Sequence, residues 1–162
     1  MKKILILSLV LTLTTLGFSQ TKSYSFSLNK IEHNFKGDLI RTSFQGEGDN
    51  ASLVETVYFI EGKLLTVYKV TITKKGDGVI MAAEVLVVPI ADMDLDNAKI
   101  KEDKGSFEIS FMTENFKSSV KKDIYSDFMA LMSNDAFMGG IVCGDKTTAE
   151  NLLTLLKEKS GK

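Results

Sequence analysis

Val54-Glu55-Thr56-Val57-Tyr58-Phe59-Ile60, Leu64-Leu65-Thr66-Val67-Tyr68-Lys69-Val70-Thr71-Ile72-Thr73 and Val79-Ile80-Met81-Ala82-Ala83-Glu84-Val85-Leu86-Val87-Val88 follow one another in the middle of the chain. Glu61-Gly62-Lys63 separates the first run from the second, and Lys74-Lys75-Gly76-Asp77-Gly78 the second from the third. β-Branched and aromatic side chains fit a pleated, half-buried surface. Short glycine-bearing loops join such runs antiparallel, so the centre reads as a three-stranded meander. Residues 51–60 also admit a helix capped by Asn50, with Leu53, Val54, Val57 and Tyr58 on one face; the β-branched content decides for strand. Pro89, the only proline, falls where it ends the third strand without removing a donor from the ladder.

Upstream, Tyr24, Phe26 and Leu28 alternate with Ser23, Ser25 and Ser27, the period of a half-buried strand. Ile31, His33 and Phe35 resume the alternation after a slip at Asn29-Lys30, read as a bulge. Lys36-Gly37-Asp38 reads as a turn into a short strand from Leu39 to Phe44, and residues 46–50 as a loop. Downstream, a charged connection from Asp92 to Asp103 holds a short strand around Ala98–Lys101, and Phe107–Thr113 alternates as a strand. Val120–Met132 fits a helix face or a bent strand, and Phe137–Cys143 a last strand kinked at Gly139-Gly140. The chain ends in a helix at about 147–159. Asp145 or Thr147 can cap it, Ala149, Leu152, Leu153 and Leu156 form its apolar stripe, and Gly161 stops it.

The fold expected is mainly β (α+β): roughly six to eight antiparallel strands forming a bent sheet or barrel closed by the C-terminal helix. This order of elements resembles a pleckstrin-homology-like barrel first and a lipocalin-like barrel second. No motif carries the resemblance, and an architecture implies no function.

Met1-Lys2-Lys3, the apolar run from Ile4 to Leu16 and Gly17-Phe18-Ser19 read as a secretory signal peptide over residues 1–19, cut after Ser19. The apolar run is shorter than the ~20 residues of a spanning helix, and no later segment is long and apolar enough to span a bilayer. Cleavage leaves residues 20–162 as a single β-rich domain, secreted or periplasmic. The single cysteine forms no internal disulfide. Twenty Lys and Arg stand against 21 Asp and Glu, interspersed along the chain. That distribution offers no clustered positive surface for nucleic acid.

Asp92, Asp94 and Asp96 alternate with Met93 and Leu95. Their spacing opens like an EF-hand loop and makes calcium the one cofactor the sequence suggests. The pattern then departs: Asn97 stands where the loop needs glycine, and Asp103 where it needs a bidentate glutamate. The simpler reading turns Met93 and Leu95 inward and the carboxylates outward. Cys143 is a candidate free thiol just ahead of the last helix, against the commoner role of a buried small hydrophobe. Met129, Met132 and Met138, beside Phe128, Leu131 and Phe137, read as core filling in preference to a copper site. His33, the only histidine, has no ligand partner at zinc spacing.

No catalytic residues are assigned, and a hydrolytic enzyme is the reading least supported. The function expected is that of an exported, non-catalytic binding or accessory module for an apolar small molecule or a partner protein. The alternative is a self-associating structural or stress protein of the cell envelope. The oligomeric state is open.

Overall fold

The computed structural model describes residues 21–28, 31–45, 51–103, 105–126 and 132–161. The signal peptide and its cut after Ser19 lie outside the described residues, as do Met129 and the slip at Asn29-Lys30. β1 (Thr21–Leu28) pairs antiparallel with β2 (Ile31–Gln45), Leu28 lying opposite Ile31. The two strands therefore run in opposite directions on either side of that slip. β3 (Ser52–Glu61), β4 (Leu64–Lys75) and β5 (Gly78–Pro89) are the expected meander. Residues 52–60 are strand and not helix. Gly62 (φ 60°) and Gly76 (φ 56°) occupy the first positions of two-residue loops, where a primed turn needs a positive φ.

β6 (Lys99–Asp103) and β7 (Ser106–Met112) form a hairpin. β8 (Val120–Ser126) returns to pair with β5, and β9 (Met132–Ala136) adds to β8. β10 (Met138–Cys143) crosses over to pair with β7. The result is a seven-stranded sheet, β1-β2-β3-β4-β5-β8-β9, and a three-stranded sheet, β10-β7-β6. Both are antiparallel and neither closes into a barrel. The expected closure fails because β6 and β7 pair with β10 and leave the long sheet open at β1 and β9.

α1 (Lys146–Ser160) starts at Asp145, whose carboxylate accepts from Thr148 N–H at 2.8 Å and from its hydroxyl at 2.7 Å. These bonds hold the Asp145 carboxyl below the usual carboxylate range. Of the two expected caps, Asp145 serves. Ala149, Leu152, Leu156 and Ser160 make the buried stripe.

The main core lies between the long sheet, the short sheet and α1. Leu65, Val67, Leu86 and Val88 come from the long sheet, Ile109, Phe111, Ile141 and Cys143 from the short one, and Leu152 and Leu156 from α1. A second, smaller cluster has Val57 and Val70 at its centre, with Leu39, Tyr68, Ile72 and Met81 around them. A bulge in β2 sits between Leu39 and Arg41. It turns Ile40 into the main core, and the Ile40 carbonyl accepts from Gly144 N–H at 3.4 Å, tying the end of β10 to the long sheet.

Candidate functional site

Strand alternation decides what the short sheet shows to solvent. On β10, Ile141 and Cys143 point inward and are buried, so Met138 and Val142 point outward, 52% and 37% exposed. Met112, 51% exposed, lies opposite Met138 in register. Met132 is exposed as well. The methionines expected in the core at 132 and 138 are therefore on the surface. Phe137, also expected to be core, is 37% exposed because it is the link by which the chain leaves β9 for β10.

The corner after β7 adds a further large side chain. Phe116 is 68% exposed and stacks edge-on against Phe137, ring centroids 5.7 Å apart. Asn115 and Phe116 have φ of 53° and 54°. The left-handed region suits asparagine but costs a bulky residue on the order of 1–2 kcal/mol. The surroundings impose that conformation. Thr113, 3% exposed, donates its N–H to the Phe137 carbonyl at 2.8 Å, and its hydroxyl bonds the Lys117 carbonyl at 2.6 Å. Lys117 N–H donates to the Glu114 carbonyl at 3.2 Å, and Lys117 Nζ bonds Asp92 Oδ2 at 2.8 Å. Met112, Phe116, Phe137 and Met138 thus form one exposed apolar patch on a clamped backbone. Backbone strain of this kind clusters at ligand clamps and switch regions in proteins generally.

The sequence-level candidates fall elsewhere. Met93 and Leu95 are buried, as the alternation predicts. The Asp92 carboxylate faces Lys117, and Asp94 accepts from the Asn97 N–H at 3.2 Å and from its side-chain amide at 2.8 Å. Asp96 is exposed. Asp94 and Asp96 line a pocket of about 70 Å³ with Leu95, Glu114, Lys157 and Ser160, well below the ~300 Å³ at which ligand pockets begin. Among the described residues no group of three or more His, Cys, Asp or Glu gathers as metal ligands. With Asp92 and Asp94 already engaged by Lys117 and Asn97, millimolar calcium is expected to leave the melting temperature unchanged. A rise of several degrees on calcium addition, reversed by chelator, would contradict this.

Cys143 is fully buried, its thiol 3.8 Å from the Ile141 carbonyl. Burial first, and then the Asp145 charge, push the thiol up to about 12 from 9.0. The raised value opposes the thiolate that a nucleophile needs. It also sets a sign for stability. Between pH 9 and 12 the unfolded chain loses this proton while the folded chain keeps it, so the group's contribution is intact below pH 9 and declines above it. The decline is about 1 kcal/mol per pH unit. Urea midpoints measured from pH 8 to 10.5 should fall more steeply for the wild type than for Cys143→Ala, and equal slopes would refute the assignment. His33 lies opposite Phe26 in the β1–β2 register.

Among the described residues no helix is long and apolar enough to cross a membrane. Comparison of the chain with protein-family models, with curated proteins and with solved structures found no match in any of the three.

Proposed function

We propose that the chain is an exported, non-catalytic binding module that holds a partner protein on the Met112–Phe116–Phe137–Met138 patch. The observation that carries this reading is Phe116, an aromatic 68% exposed on a left-handed backbone that four neighbouring hydrogen bonds clamp in place. Aromatic residues and methionine are the types enriched where protein surfaces meet. An open patch suits a protein segment better than a small molecule, which needs a concavity. Of the two expected orders, the lipocalin-like one implies an internal cavity. The pleckstrin-homology-like one implies a packed centre with binding at loops or an edge, and the buried core behind the patch supports that mode. Export rests on the signal-peptide pattern of residues 1–19.

The test compares proteins retained from the native envelope by the wild type and by the double variant Phe116→Ser/Met138→Ser. One protein retained stoichiometrically by the first and lost from the second supports the reading. Identical retention by both overturns it. Intact mass of the exported chain gives the cut, with residues 20–162 expected.

The strain makes a separable prediction. Phe116→Gly removes the backbone penalty but also the contact with Phe137, worth about 0.5–1.5 kcal/mol. Its melting temperature should therefore match or exceed the wild type's while partner affinity falls at least tenfold. A marked loss of stability would mean that Phe116 serves packing and not recognition.

A second reading, self-association, is favoured by one feature: in the long sheet, β1 pairs with β2 and stands at the end of the strand order.

A further inference from the structure

Sheet edges present rows of unpaired N–H and C=O groups, and proteins protect them with charge, shortness or cover. Among the described residues four strands stand at sheet edges, and three of them carry such protection. β6 is Lys99-Ile100-Lys101-Glu102-Asp103, with charge at all but one position. β9 spans five residues, Met132–Ala136. β10 has Gly139-Gly140 within it and is tied at its end to the Ile40 carbonyl through Gly144 N–H. β1 differs from all of them: it is eight residues long, Thr-Lys-Ser-Tyr-Ser-Phe-Ser-Leu, with Lys22 its one charge.

The β1 sequence is also self-complementary. Ser23-Tyr24-Ser25-Phe26-Ser27 reads as serine and aromatic in either direction about Ser25. If two β1 strands run antiparallel about a two-fold axis at Ser25, Ser25 faces Ser25, Ser23 faces Ser27, and Tyr24 faces Phe26 on both sides. Aromatic pairs directly opposite one another are favourable cross-strand partners, and like charges directly opposite are unfavourable. In this register each Lys22 faces Leu28 of the other copy. Six residues of strand, ~20 Å at 3.4 Å per residue, separate the two Lys22 positions along the paired strands. Ser23 and Ser25 are exposed, so the residue at the axis and the serine two positions before it are reached by solvent. An isologous two-fold contact of this kind closes on itself and does not propagate into a filament.

We propose that the outer edge of β1 is a homodimer interface, on which a second copy of this chain pairs its own β1 antiparallel in the register centred on Ser25. The two long sheets then become one continuous sheet across the axis. The proposal deepens the self-association reading and is independent of the Phe116 patch, which lies on the other sheet.

Sedimentation equilibrium of the purified chain from 1 to 100 µM, with its N-terminus read by intact mass, is expected to give a dimer. Ser25→Lys sets two ammonium groups face to face at the axis and should weaken dimerisation at least tenfold with an unchanged far-ultraviolet spectrum. The double variant Ser23→Lys/Ser27→Glu places opposite charges across the same axis and should dimerise at least as tightly as the wild type. Ser25→Cys should form an inter-chain disulfide under mild oxidation, since the two positions meet at the axis. A monomer at 100 µM would overturn both the proposal and self-association. A dimer that survives Ser25→Lys unchanged and fails to cross-link through Ser25→Cys would overturn the edge pairing alone and leave self-association to another surface.

Discussion

Leu156→Ala is expected to lower the unfolding free energy by about 2–5 kcal/mol and the melting temperature by on the order of 10 °C. Leu156 has no solvent exposure and lies in the main core with Leu152, Ile109, Ile141 and Cys143. It belongs to α1, the element that covers the short sheet. Removing its isobutyl group therefore opens a void between α1 and the short sheet, and the walls of that void come from separate elements that cannot all close on it. The loss combines the transfer term with a cavity term, which places it above an ordinary surface substitution. Thr154→Ala, two residues away on the exposed side of α1, should stay within about 0.5 kcal/mol of the wild type. Thermal denaturation of both variants checks the contrast. Equal melting temperatures would show that α1 contributes no packing to the core.

That helix was legible from sequence because its signals are local. Asp145, the stripe at 149, 152 and 156, and Gly161 act within one turn of the residues they govern. The central meander was legible for the same reason, since Gly62 and Gly76 mark the loops where β3, β4 and β5 reverse. What stayed hidden depends on pairing across long stretches of chain. Alternation marks Phe107–Thr113 as a strand, yet nothing in it says that the partner is β10 and not β5. The barrel expectation failed there. The patch was hidden by the same ambiguity: Met138 and Phe137 have core-like composition, and only the inward placement of Ile141 and Cys143 settles which side of β10 faces out. Phe116 carries a weak local signal, the preceding Asn115, which tolerates the left-handed region. The acidic run has a role in the fold that its spacing does not reveal. Its spacing suggests a cation, but Asp92 bonds Lys117 and so braces the corner that presents Phe116.

Gly37→Ala is expected to destabilise the protein by about 1–3 kcal/mol, and it tests a glycine whose role the sequence disguises. Lys36-Gly37-Asp38 has the composition of a turn, yet β2 runs from Ile31 to Gln45 straight through it. Gly37 is needed for proximity. At this point β2 passes from one partner to the next: Gly37 lies opposite Lys22 of β1, and Asp38 opposite both Thr21 of β1 and Tyr58 of β3. A Cβ on residue 37 would stand 2.6 Å from the Tyr58 carbonyl oxygen and 3.4 Å from the Val57 Cβ. The near atom is backbone, held in the β3 ladder against Val67 of β4, and has no rotamer through which to yield. Either β3 shifts at Tyr58, weakening its pairing with β4, or β2 moves away and loosens the β1–β2 hairpin from the sheet. The two outcomes separate in hydrogen exchange. Loss of protection at residues 57–59 and 66–68 reports the first, and loss confined to residues 21–36 the second. In both cases the urea midpoint falls. An unchanged midpoint would mean that the junction between the hairpin and the long sheet has room for a methyl group, and that Gly37 does mark flexibility, as its neighbours Lys36 and Asp38 suggest.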